Sequence, residues 1–256
     1  MRYTWLIFKH EIRMLLLTPS SYVASVLFLA IMALIFWTVI RDLTVVASET
    51  LPITSYFRAF WLPSLFVVPL LTMRSVAEER RLGTLSTLLT TPASPLSLVL
   101  GKFLAVYVFY CGLWALTITY PFIFARLLPY ATFDGRLVEW APIIGGLSFV
   151  ALSGLLFIAV GIFSSSLTRS QLVAGMLTFT LLFLVIAFAN LMKMMPLSLE
   201  DSPMFGLLQE PLLYFKATQH LEDFSVGLVD SRPIFYYSSM CALLLSLAVI
   251  NVESRS

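Results

Sequence analysis

Apolar residues in this chain come in long unbroken runs. The short alternations that mark half-buried strands or amphipathic helices are largely missing. Six runs stand out: Tyr22 to Ile40, Phe57 to Met73, Leu96 to Ala125, Leu137 to Leu167, Gln171 to Met192 and Ile234 to Val252. Crossing about 30 Å of hydrocarbon takes about 20 residues of helix. In lipid each backbone N–H and C=O must be satisfied within its own segment, so runs of this length are helices. The pattern predicts an all-α polytopic membrane protein, a single domain over 1–256 with six transmembrane helices. Leu96 to Ala125 exceeds the span length, so its first turns are expected in the interface, with Lys102 snorkelling outward.

The polar segments between the runs have patterns of their own. In "RYTWLIFKHEIRMLLLTPS", Trp5, Phe8, Ile12, Leu15 and Leu16 share a face at helical spacing, flanked by Lys9 and Arg13, with His10 further round. This predicts an interfacial helix over 1–19, stopped at Thr18-Pro19 because the residue before a proline is driven out of the helical region. Between the second and third runs lies "MRSVAEERRLGTLSTLLTTPASP", which reads either as a helical elbow over 74–94 or as a solvated turn with ordinary interfacial charges. Glu78 and Glu79 sit at a helix start, where carboxylates suit the macrodipole. Gly83-Thr84 reads as a glycine stop followed by a threonine cap, which divides the elbow into two short helices. On a helical wheel Leu82, Leu85, Leu89 and Glu78 gather on one side, with Arg80, Thr84 and Thr87 opposite. Ser94-Pro95 reads as N-cap and first residue of the next helix. The outer loop over 194–233 holds "FGLLQEPLLYF", which suggests short helices at the outer leaflet.

Composition agrees: the chain is 59% hydrophobic and 12% charged, where a soluble domain is about half apolar and a quarter charged. Charge placement sets the orientation. With the N-terminus inside, the inner segments hold nine Lys and Arg and the outer ones seven. Discounting the long loop from Lys193 to Pro233, as the positive-inside rule directs, leaves nine against four. Both termini are expected in the cytoplasm. The first run is too long for a signal-peptide core and no cleavage site follows it, so no signal peptide is expected.

Candidate chemistry is sparse. Cys111 and Cys241 lie within predicted spans and read as packing residues. The methionines at 192, 194 and 195 read as lipid-facing bulk, and His220 with Glu222 and Asp223 does not make a convincing metal cluster. Neither a catalytic residue nor a metal site is expected, and nucleic acid is not expected as a partner. Ionisable residues are almost absent from the runs, which argues against a secondary transporter driven by protons or sodium. Gly146, Ser153, Gly154, Gly161 and Ser165 recur along the fourth run and are read as close helix packing. Pro63 and Pro69 interrupt the second run's hydrogen bonding.

The elbow and the head of the third run resemble the signature of permeases of the type-2 ABC exporter superfamily. The matching residues are Arg74, Glu78, Glu79, Gly83, Thr84, Leu88, Leu89, Pro92, Gly101 and Lys102. A second stretch, "HLEDFSVGLVDSRPIFYYSSM" from His220, resembles the gliding-motility-type branch, with Leu221 where that branch carries Phe. The resemblance implies a permease whose elbow is a coupling helix, with Arg74, Glu78, Glu79, Arg81, Leu82, Gly83, Thr84, Leu85 and Leu89 as the coupling residues. It implies a separate cytoplasmic ABC ATPase that binds ATP and Mg, a second permease chain as homo- or heterodimer, and location in a bacterial inner membrane. A membrane-anchored periplasmic auxiliary subunit is a further partner of the gliding-type branch. The chain has no G-x-x-x-x-G-K-[ST] phosphate loop, so it is not expected to be an enzyme or to hold a cofactor itself. Two functions are left open: ATP-driven export, and mechanical or assembly work on a periplasmic partner.

Overall fold

The computed structural model describes residues 2–45, 52–84, 94–127, 139–194, 224 and 231–254. Among them every regular element is a helix. In chain order these are α1 (Arg2–Leu17), α2 (Pro19–Val45), α3 (Pro52–Arg58), α4 (Trp61–Thr72), α5 (Ala77–Leu82), α6 (Pro95–Thr117), α7 (Thr119–Leu127), α8 (Trp140–Leu167), α9 (Gln171–Met194) and α10 (Ser231–Glu253).

Four of these segments are long and apolar enough to cross a membrane: α2, α6 continued through α7, α8 and α10. The α3/α4 pair qualifies as a fifth if its bend of 46° is spanned as one unit. Within α9 the apolar stretch over Gln171–Ala187 is shorter. The outer loop expected from sequence, with "FGLLQEPLLYF" and His220, lies outside the described residues apart from Met194, Phe224 and residues 231–233.

The bend between α3 and α4 has a local cause. Pro63 has no N–H for the Ala59 carbonyl, and its ring crowds that turn. The chain passes through tighter bonds instead, with Phe60 N–H to Phe57 O at 2.9 Å and Leu62 N–H to Ala59 O at 3.1 Å. Pro69, by contrast, sits inside α4.

Helix α8 is the hub, packed by α4, α6, α9 and α10. Its small residues take large neighbours: a Cβ at Gly154 would stand 2.5 Å from the Tyr110 ring, and one at Gly161 would strike the Thr72 side chain. Van der Waals fit of this kind holds helices together where lipid gives no hydrophobic drive between them. Aromatic contacts fill the rest, with Phe60 edge-on to Phe149 at 5.2 Å and Phe28 edge-on to Trp114 at 5.2 Å. Cys111 and Cys241 are free thiols.

Candidate functional site

The elbow begins where α4 ends. Met73–Val76 form a turn, and α5 is only six residues long. So short a helix cannot hold itself in water, and its order comes from outside. The first support is Ser165 of α8. Its Oγ accepts the N–H groups of Val76 at 3.1 Å and Ala77 at 3.0 Å, and it donates to Met73 O at 3.4 Å. An N-cap normally comes from the adjacent residue; here it comes from 88 positions away.

The second support is α10. Arg80 Nη2 donates to the Asn251 carbonyl at 3.0 Å, while Asn251 Nδ2 donates to Ser166 O at 2.9 Å and to Ser166 Oγ at 3.1 Å. The elbow is thereby tied to α8 twice, once directly and once through α10.

The third support is a cluster of charge. Lys102, in the second turn of α6, is 2% exposed. Its Nζ pairs with Glu11 Oε1 of α1 and, at 2.7 Å, with Glu79 Oε1 of α5. This corrects the expectation that Lys102 snorkels outward: with two carboxylates in reach, the ammonium stays inside. Gly101 explains how α1 comes close enough. A Cβ there would lie 2.8 Å from Ile7 Cγ2 and 3.1 Å from Thr4 O, so only glycine lets α1 lie flat on α6. The docked face of α1 runs through Thr4, Ile7, Glu11 and Leu15, while Trp5 and Leu16 of the sequence-predicted face are exposed. Burial pushes the Glu79 carboxyl above the ordinary carboxylate range, and the Lys102 ammonium opposes that push.

A cleft of about 360 Å³ opens between these elements. His10, Glu11 and Met14 line one wall, and Glu78, Glu79 and Leu82 line the other. Arg74 reaches it from the turn and is held by its Nη1, which donates to Ser20 Oγ at 2.7 Å.

The coupling residues expected from sequence therefore separate. Arg74, Glu78 and Glu79 are half-buried and face the protein's own interior cleft; Leu82 is exposed at the cleft's rim, and Arg81, Gly83 and Thr84 are exposed at the tip. Gly83 stops α5 with φ +71°, the left-handed conformation that favours glycine. The Thr84 hydroxyl donates back to Glu79 O at 3.3 Å. Leu85, Leu88, Leu89 and Pro92, with the second short helix expected there, lie outside the described residues. Beyond them Ser94 caps α6, its Oγ accepting Ser97 N–H at 3.2 Å, with Pro95 in the first position.

Sequence reasoning missed Glu11, Ser20, Ser165 as a cap, and Asn251. Glu11 gave a usable signal: an acid on the same helical face as Ile7 and Leu15 needs a partner if that face is buried. Ser165 carried no such signal beyond its small size. Among the described residues no group of acidic, histidine and cysteine side chains could hold a metal ion.

Comparison with known proteins bears on what these supports serve. No curated protein matches the chain. Residues 43–209, well over half of it, match the family described as ABC-2 family transporter protein. The matched segment runs from the end of α2 past α9 and holds the whole elbow, Lys102 and Ser165. The chain belongs to the ABC-2 transporter family, the membrane permeases of ATP-binding cassette transporters.

Proposed function

We propose that the chain is the permease subunit of an ATP-binding cassette exporter of a bacterial inner membrane, crossing six times with both termini in the cytoplasm. The elbow is its coupling helix. Arg81, Leu82, Gly83 and Thr84, continued by Leu85 and Leu89, seat in a separate ATPase, which binds ATP and Mg; Arg74, Glu78 and Glu79 hold the seat's base. The observation that carries this reading is an exposed tip on a base fixed to α6, α8 and α10, in a chain of this family. A tip so mounted passes force to the spans, where a solvated loop would yield to it. Two permease chains are required, because a nucleotide sandwich of two ATPases needs two elbows.

The test is purification in mild detergent with native mass measurement. Two permease chains with two ATPases are expected, and a single permease chain carrying two ATPases would overturn the dimer. Topology is read separately. A cysteine at Ser198 is expected to react with an impermeant maleimide in intact cells and one at Ser86 is not; labelling at Ser86 from outside overturns the orientation.

The stretch from His220 that resembles the gliding-motility-type branch favours a second reading. In it the same motion is passed to a periplasmic partner and nothing crosses. Co-purification of a large membrane-anchored periplasmic protein favours that reading; an ATPase alone favours export.

A further inference from the structure

The charge cluster raises a question that seating an ATPase does not answer. Lys102 is shut away from water, and a buried ammonium is tolerated only when paired. Here it has two carboxylates, each from a different element. Of the three supports of α5, those through Ser165 and Arg80 lead to α8 and α10. The support through Lys102 leads to α1 and α6, and α1 is itself pressed onto α6 at Gly101.

Resting on the reading of the elbow as the ATPase seat, we infer that Lys102 is a positioning residue for coupling. Its one ammonium clasps Glu79 of the elbow to Glu11 of α1, so that a displacement of the elbow is carried into α1 and the head of the third span. Glu79 then acts on the permease's own Lys102 and makes no contact with the ATPase. The signature's Gly-Lys pair acquires separate roles: Gly101 seats α1, and Lys102 joins it to the elbow.

The clasp is asymmetric, and that makes it testable. Glu79→Gln leaves Lys102 paired with Glu11 and keeps an oxygen facing Nζ, so its effect is small. Lys102→Met leaves two carboxylates from separate helices facing one another, and they push α1 and α5 apart. Combining the two changes removes one of the repelling charges. The double variant is therefore expected to couple better than Lys102→Met alone. A direct contact between Glu79 and the ATPase predicts the reverse, with the second change deepening the loss.

The experiment uses the full chain with its ATPase in nanodiscs and takes three readings. On the unlabelled chain these are retention of the ATPase on the tagged permease and permease-stimulated ATP hydrolysis; on a separate preparation without ATPase the third is the distance between spin labels at Met14→Cys and Leu82→Cys, with Cys111 and Cys241 replaced. Lys102→Met is expected to retain the ATPase, since the tip is untouched. It loses stimulated hydrolysis by roughly tenfold, a typical size for a broken coupling contact, and its spin-label distance widens. Glu79→Gln in that background restores part of both. The inference is overturned if Lys102→Met couples like the wild type, if its distance is unchanged, or if Glu79→Gln deepens the loss. Should Lys102→Met fail to accumulate, Glu11→Gln with Glu79→Gln strips the lysine of both charges and must also widen the distance; an unchanged distance there overturns the clasp equally. If the wild-type chain stimulates no ATPase, the proposed function fails, while the spin-label distances still report on the clasp.

Discussion

The contact of the α3/α4 segment with α8 and the contact of α5 with its surroundings lie a few residues apart along the chain, yet they are built on opposite principles. The first is shape. Gly161 gives way to Thr72, Gly146 to Phe57, and Phe60 stacks on Phe157 with the rings 5° from parallel. The second is directed polarity: a serine hydroxyl taking two N–H groups, a guanidinium on a carbonyl, an ammonium between carboxylates. Shape complementarity fails abruptly and has one good arrangement, because close-packed interiors do not deform continuously. Polar contacts exchange partners one at a time. A segment that must move against a partner is better held by the second kind, and a bundle that must hold its own geometry by the first.

This difference can be broken from either side. The largest effect belongs to the bundle. Gly161→Leu drives a side chain into the buried Thr72, and overpacking of this kind costs up to about 3 kcal/mol. Thermal unfolding in detergent is expected to shift down, with ATPase retention lost only in step with folded protein. Next is Ser165→Ala, which leaves the Val76 and Ala77 N–H groups without their acceptor at a cost of about 1–2 kcal/mol. Its signature differs: hydrolysis falls more than melting temperature does. Equal falls in both would mean that the cap only stabilises the fold.

Much of this was legible in the sequence, where the determinants are local. Pro19 separates α1 from α2, Gly83 stops α5, and Ser94-Pro95 opens α6, each by chemistry acting within a turn of itself. The long apolar runs gave the helical class for the same reason. The direction taken by Lys102 was not legible, because at a helix head lipid interface and protein interior look alike in sequence. Glu11, 91 positions away, tips the balance inward together with Glu79. The role of Ser165 was hidden likewise, since a small residue that admits a neighbour and one that caps it are the same letter.

Two smaller effects sharpen the comparison at the tip. Gly83→Val forces a β-branched residue into a left-handed conformation at about 1–2 kcal/mol. That strain is local, so it is expected to lower ATPase stimulation with little change in membrane insertion. Leu82 is 62% exposed, and Leu82→Ala is expected to change stability by less than about 0.5 kcal/mol. ATPase retention should nevertheless drop about fivefold or more if the side chain is an interface anchor. Retention equal to wild type would show that the partner does not grip this face.

The bend at Ala59–Phe60 makes α4 an arm that ends at the elbow. Past the bend of 46°, α4 runs straight from Trp61 to Thr72, 12 residues, and hands over to the elbow at the turn of Met73–Val76. At 1.5 Å per residue those 12 residues make an arm of about 18 Å, with its fulcrum at the proline-disturbed turn. Tilting such an arm by about 5° sweeps its far end through about 1.5 Å, while the residues beside the fulcrum scarcely shift. A displacement at the Thr72 end thus reaches the residues around Pro63 as a small rotation.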